Sequence, residues 1–276
     1  MKLIKTTIPI GLDHPVKILH ITDTHLPLCG KDDEPQFIEA AARRGAAAPI
    51  LDSLEEQLSY AQANCDLLLH TGDLIDFASS ANVVFLREFL KRENILFIAG
   101  NHEYWRNDGG FEDMEYRMRS LERIGDPGSD LMFTSRIVGG VNFVGIDDAY
   151  HQVEPWQTER LQVEAEKGAP VVLFMHAPLF ELQLYDRSVE YWHDGTAYLV
   201  GCDDVHTSGY SDYGIRTQKP TEATKEFADY VNGESRIKAV IAGHVHFNFE
   251  SRLPGGIMQY ITGCSRDHTA REITFV

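Results

Sequence analysis

With 276 residues, 43% of them hydrophobic and 24% charged, the chain has the balance of a soluble globular protein and enough length for a sizeable core, as one large domain or two small ones. A formal charge of −17 opposes wrapping a nucleic-acid backbone, which needs Lys and Arg against the phosphates. A bound cation could still draw in small anions locally. Lys2 and Lys5 begin the chain, but Pro9, Gly11 and Asp13 interrupt the apolar stretch that a signal peptide requires. No later stretch approaches the roughly 18 apolar residues of a membrane helix. Cys29, Cys65, Cys202 and Cys264 are scattered without a Cys-x-x-Cys pair, which suits free thiols in a reducing compartment. A cytoplasmic protein is expected.

Residues 16–22 read as a strand that ends in Asp23-Thr24-His25. Residues 26–49 read as a loop with one helix. Ile50, Leu51, Leu54, Leu58 and Ala61 then mark a helix with one apolar face. Residues 66–73 form a buried strand, since a short apolar run stops at His70-Thr71-Gly72 and delivers Asp73. A helix over 82–92, with Asn82 placed as its cap, leads to a strand at 95–99 that empties into Gly100-Asn101-His102-Glu103. Residues 109–124 read as mainly helical, and Asp126-Pro127-Gly128 as a turn. A hairpin follows, 131–138 and 141–146, joined at Gly139-Gly140. Residues 155–167 form a helix with proline in its first turn, and 171–175 a strand ending at His176. Residues 180–220, rich in Tyr, Asp and Gly with weak periodicity, read as an insertion or lid within a single domain spanning 1–276. A helix over 221–231 and a strand over 237–242 lead to Gly243-His244-Val245-His246, and strands at 256–262 and 271–275 close the chain. Helices alternating with buried strands indicate a layered α/β protein.

Five strand ends therefore carry Asp23, His25, Asp73, Asn101, His102, His176, His244 and His246. Ligands of open α/β sheets bind outside the carboxyl ends of strands. In extended backbone, residues two apart share a side, so Asp23 with His25 and His244 with His246 could each aim two donors at one point. Oxygen and imidazole donors suit Mn, Fe or Zn. Excluding His102, seven donors are too many for one tetrahedral ion and enough for two. A dinuclear site needs a shared carboxylate, and Asp73 is the natural bridge.

These blocks, in this order between residues 18 and 246, resemble the signature of the calcineurin-like metallophosphoesterases. The resemblance implies a four-layer α/β/β/α sandwich of two mixed β-sheets flanked by helices. It implies Asp23, His25, Asp73 and His246 around one metal, and Asp73, Asn101, His176 and His244 around the other. It implies His102 as general acid beside the leaving group, with Asn101 fixing the neighbouring imidazole. The implied reaction is hydrolysis of a small phosphomonoester or phosphodiester by a hydroxide bridging two Mn, Fe or Zn ions. A non-catalytic protein-binding scaffold on the same fold and a nuclease are the alternatives. The complete ligand set opposes the first, and the acidity opposes the second.

Other residues are read more plainly. Glu103 favours a helix start, with support of the ligands as the alternative. Asp147-Asp148 reads as a solvated turn in preference to a partner of a ligand histidine. His20 and His70 are structural, and Arg106 has only its nearness to His102 to suggest a phosphate contact. In the 180–220 segment, Tyr185, Tyr191, Trp192, Tyr198, Tyr210 and Tyr213 serve either as satellite core or as an aromatic wall. His193-Asp194 and Asp203-Asp204-Val205-His206 are polar turns.

Overall fold

The computed structural model describes residues 1–107, 114–125, 130–193 and 195–276. The chain opens with strands β1 (Lys2–Ile8) and β2 (Val16–Ile21), then helices α1 (Pro35–Arg44) and α2 (Ala48–Asn64). Next come β3 (Leu67–His70), α3 (Ser80–Leu90), β4 (Ile95–Phe97), α4 (Asn101–Tyr104) and α5 (Met114–Ile124). The hairpin β5 (Phe133–Val138) and β6 (Val141–Ile146), α6 (Pro155–Glu166) and β7 (Val171–Met175) follow. The 180–220 segment holds α7 (Leu182–Trp192), α8 (Asp204–Thr207) and α9 (Asp212–Gln218). The remainder is α10 (Glu222–Gly233), β8 (Ile237–Ala242), β9 (Phe249–Arg252), β10 (Met258–Ile261) and β11 (Thr269–Phe275).

Two mixed sheets result, of strand order β1-β11-β2-β3-β4 and β5-β6-β7-β8-β10-β9. The strands that feed the site run parallel to one another, β2 with β3, β3 with β4, and β7 with β8, while β2 pairs antiparallel with β11 on its other side. Their continuous apolar runs have a physical cause, because both faces of each strand are buried. In β2 and β3, Ile18, Leu67 and Leu69 pack against Val172, Phe174, Ala239 and Ile241 of the other sheet. The alternate residues, Leu19, Ile21 and Leu68, face Leu54 of α2 and Leu86 of α3. On the outer side of the second sheet, Leu173 and Val240 meet Leu161 of α6 and Phe227 of α10. Three apolar layers thus separate four structural layers, as the resemblance implies. Among the described residues no helix is long and apolar enough to cross a membrane.

Several local expectations are corrected. β1 and β9 were not foreseen: β1 is a half-exposed edge strand whose parallel partner is β11 at the far end of the chain. Ser79 caps α3, its hydroxyl accepting from the Asn82 N–H at 3.2 Å, while the buried Asn82 side chain holds Leu28 N and Phe77 O instead. The 180–220 segment, expected to lie outside the core, is largely helical and contributes to it: Leu184, Ala197, Leu199, Val200 and Cys202 are fully buried against the second sheet. The expected turn at 126–128, the stretch 109–113 and Asp194 lie outside the described residues.

Candidate metal centre

Strands β2, β3 and β8 end in sharp exits. Asp23, His25, Asp73, His244 and His246 all adopt φ between +49 and +67, the left-handed region that non-glycine residues seldom occupy. The pairs Asp23/His25 and His244/His246 therefore converge through left-handed turns, not through the extended backbone assumed from their spacing. Such strain persists only where the surroundings enforce it. Here the Asp23 N–H donates to Gly72 O at 3.1 Å and the His25 N–H to Asp73 O at 2.8 Å, stitching the β2 and β3 exits together. Gly72, at φ +97, and Gly100 pack so closely that a Cβ on Gly72 would lie 2.7 Å from Gly100 Cα. Glu103, fully buried, accepts from the N–H groups of Asp73, Leu74, Ile75 and Gly100 at 2.7 to 3.1 Å. It thus starts α4 and clamps the Asp73 turn at once, so both readings of this residue hold.

The seven side chains expected as ligands gather in one place. Asp23, His25 and His246 form one cluster and Asp73, His176 and His244 a second. In the first, Asp23 Oδ1 lies 3.7 Å from His25 Nε2 and 3.4 Å from His246 Nε2. In the second, Asp73 Oδ2 lies 3.2 Å from His176 Nε2, which is 3.0 Å from His244 Nδ1. The same Asp73 oxygen is 3.6 Å from His25 Nε2, so one carboxylate serves both clusters. Asn101 lines the cavity beside Asp73, His244 and His246.

The donor set fits a pair of cations. Among the described residues, Asp23 Oδ1 and Asn101 Oδ1 are buried acceptors with no hydrogen-bond partner, an arrangement costly to leave unsatisfied. His176 Nδ1–H donates to Thr71 O at 2.7 Å, which turns a lone pair on Nε2 toward Asp73. His25 Nε2 and His246 Nε2 face each other at 3.1 Å. Burial opposes charge on His25, yet Asp23, Asp76 and Asp73 outweigh it and raise the imidazole to about 9. His176 is raised to about 10 in the same way, against burial, by Asp73, Asp23 and Asp148. Burial would lift the Asp73 carboxyl, but His176, His102 and His25 hold it well below its ordinary value. The charges of the donor set are thus concentrated where cations would take the place of protons.

The calcineurin-like phosphoesterase family model matches residues 16–248. This chain belongs to the calcineurin-like phosphoesterases. It is accordingly a metal-dependent hydrolase of phosphoester bonds, in a family that works with two metal ions. Among solved structures, a dimetal phosphatase from Danio rerio is 14% identical, with a TM-score of 0.51 over 93% of this chain and 91% of that one. A putative 5'-nucleotidase from Staphylococcus aureus is also 14% identical, with a TM-score of 0.48 over 95% of this chain and 51% of that one. No curated protein sequence matches the chain.

In this phosphoesterase, sequence reasoning missed residues that stand behind the expected ligands. Asp76, fully buried, receives His25 Nδ1 and His102 Nδ1 on the same oxygen, each at 3.2 Å, and Arg44 Nε on the other at 2.7 Å. Its backbone carbonyl also accepts from His102 Nδ1 at 2.8 Å. The spacing Asp73-x-x-Asp76 was the available signal. His151 Nε2 lies 3.1 Å from His244 Nε2, and burial drives this imidazole down to about 3, so it stays neutral. Asp147-Asp148 is no solvated turn, since both are buried. Because β6 pairs in parallel with β7, Asp148 falls beside His176 and accepts the N–H groups of His176 and Ala177 at 2.8 and 2.9 Å. Asp147 binds Arg117, Tyr104 and the Ala149 N–H.

Other readings are settled by neighbours. His20 sits between Thr262 and Thr71, and His70 contacts Thr24 at 3.0 Å, with burial lowering His70 to about 3. Arg106 lays its guanidinium 4.4 Å from the Tyr116 ring centroid. Asp203 caps α8 and bonds His206, as a polar turn should.

Proposed function

We propose that this phosphoesterase hydrolyses small phosphomonoesters or phosphodiesters at two cations, with His102 as general acid. Asp23, His25, Asp73 and His246 would hold one cation, and Asp73, Asn101, His176 and His244 the other. The observation that carries this reading is the Asp73 carboxylate, one oxygen of which lies 3.6 Å from His25 Nε2 and 3.2 Å from His176 Nε2. When bound, Mn, Fe or Zn ions supply Lewis acidity toward the phosphoryl oxygens and activate water.

The protein's own groups do the rest. The His102 N–H donates to Asp73 Oδ1 at 2.9 Å, so the acid and the shared carboxylate keep a fixed separation. Bonding of Nδ1–H to Asp76 leaves His102 Nε2 to carry the proton that the leaving oxygen takes. His102 lines the same cavity as Asp73, Asn101 and His244, which puts the acid beside the ester. Scattered cysteines support a reducing, cytoplasmic setting. The acidity of the chain supports small substrates over nucleic-acid polymers.

Metal analysis of the purified protein, joined to turnover of a panel of monoesters and diesters with Mn, Fe and Zn, tests the reading. Two equivalents of metal and metal-dependent release of phosphate or alcohol are expected. A protein that binds one equivalent or none would defeat it.

A further inference from the structure

The metal clusters open into a cavity of about 240 Å³ whose walls include Trp192, Tyr198, Tyr213 and Gln218, all from the 180–220 segment. The Trp192 ring lies 5.3 Å from His246 and 5.8 Å from Tyr198, and Tyr198 lies 6.1 Å from His244. The aromatic wall therefore begins at the expected ligands. Tyr198, Tyr213 and Gln218 also line a second cavity of about 360 Å³, where Gly195, Gly209 and Gly214 leave width. Two cavities that share these three side chains, the first of them beside the expected ligands, offer more room than a phosphoryl group with a short alkyl ester would fill. Tyr210 borders the second cavity too but is buried, its hydroxyl bonded to Cys202 Sγ at 3.4 Å, so the segment supplies both wall and core.

Gln218 decides what kind of ring fits. It is 2% exposed, yet among the described residues its Oε1 has no hydrogen-bond partner, and the buried Trp192 Nε1 has none either. A buried polar atom left unpaired is costly, and a ligand that pairs it relieves the cost. A carboxamide offers a donor and an acceptor side by side, which matches the edge of a nucleobase and finds no partner on a phenyl or alkyl group. Tyr and Trp faces stack on such bases.

We infer that the 180–220 segment forms a base-binding subsite at Trp192, Tyr198, Tyr213 and Gln218, and that the substrates are nucleotides. The inference rests on the phosphoester reading above. In the reaction, water adds its oxygen to phosphorus, and the ester P–O bond breaks with its electron pair on the nucleoside oxygen. That oxygen takes a proton, giving the nucleoside and phosphate.

The test compares AMP with ribose 5-phosphate, which shares the ester but lacks the base. It uses the metal-loaded wild type and the variants Tyr213→Ala and Gln218→Ala; Tyr213 is 47% exposed, so its variant should fold. The expected kcat/KM ratio of AMP to ribose 5-phosphate is about tenfold or more, falling toward one in both variants. Equal kcat/KM values in the wild type would overturn the subsite and leave the hydrolase standing. A ratio that survives both substitutions would overturn these residues as its source. If neither compound turns over, calorimetry decides. AMP binding about tenfold tighter than ribose 5-phosphate, lost in Tyr213→Ala, upholds the subsite and counts against the reaction. Equal or absent binding overturns the subsite.

Discussion

Replacing Asp76 by Asn keeps the shape of the side chain and removes its charge, and the structure says where the loss should fall. One carboxylate oxygen faces both His25 Nδ1 and His102 Nδ1 at 3.2 Å, so a single substitution weakens support for an expected ligand and for the expected acid together. Partners of this kind, standing behind ligands, are typically worth about 10–100-fold in metal affinity or activity. His25 should therefore lose metal affinity by about 10–100-fold. His102 keeps its bond to the Asp76 backbone carbonyl at 2.8 Å, so turnover at saturating metal should fall by only about tenfold, the low end. Arg44, whose side chain is 42% exposed, can turn its guanidinium to water and adds little to the cost. The assay is a double-mutant cycle with His102→Ala, following kcat for an alkyl phosphate at saturating metal alongside calorimetric metal binding. If Asp76 acts through His102, Asp76→Asn should cost almost nothing further once the imidazole is gone, a coupling of about 1 kcal/mol or more. A tenfold loss in both backgrounds, or unchanged metal affinity, would refute the reasoning.

Four further outcomes are expected. His102→Ala should retain both metals and lose about 10²–10⁴-fold in turnover, most for alkyl leaving groups and least for p-nitrophenol; equal losses would contradict the general acid. In metal-free protein, His25 at about 9 and His176 at about 10 lie above the ordinary 6.5. Their contribution to stability is complete below about pH 6.5 and is lost as pH rises through 9 and 10, which denaturant melts of stripped protein would follow. Because coordination needs neutral imidazole, metal uptake near pH 7 should release protons and tighten toward pH 9, and calorimetry in two buffers of different ionisation enthalpy measures this. Gly100→Ala would put a Cβ 2.8 Å from both Asp73 N and His176 Cε1, so metal content should drop below two equivalents with a lower melting temperature; an unchanged metal content would show that the Asp73 turn can yield.

By itself the amino-acid sequence determined the features that are local in the chain. Each apolar run ending in a short polar block marks a strand with a donor at its carboxyl end, which is why Asp23, His25, Asp73, Asn101, His176, His244 and His246 stand out as candidate donors. The hairpin at Gly139-Gly140 was readable for the same reason. Tertiary structure alone decided what lies across from these donors. Asp148 reaches His176 because β6 and β7 are neighbours, and His151 reaches His244 through a left-handed turn at Tyr150 and His151. β1 exists because β11, at the other end of the chain, offers it an edge. The 180–220 segment divides into residues buried against the second sheet, such as Leu184 and Leu199, and residues that line the cavity beside His244 and His246, such as Trp192 and Tyr198. Burial patterns and turn residues act over a few positions, whereas strand order and the pairing of distant loops are set by packing two sheets face to face, a choice that no short stretch encodes.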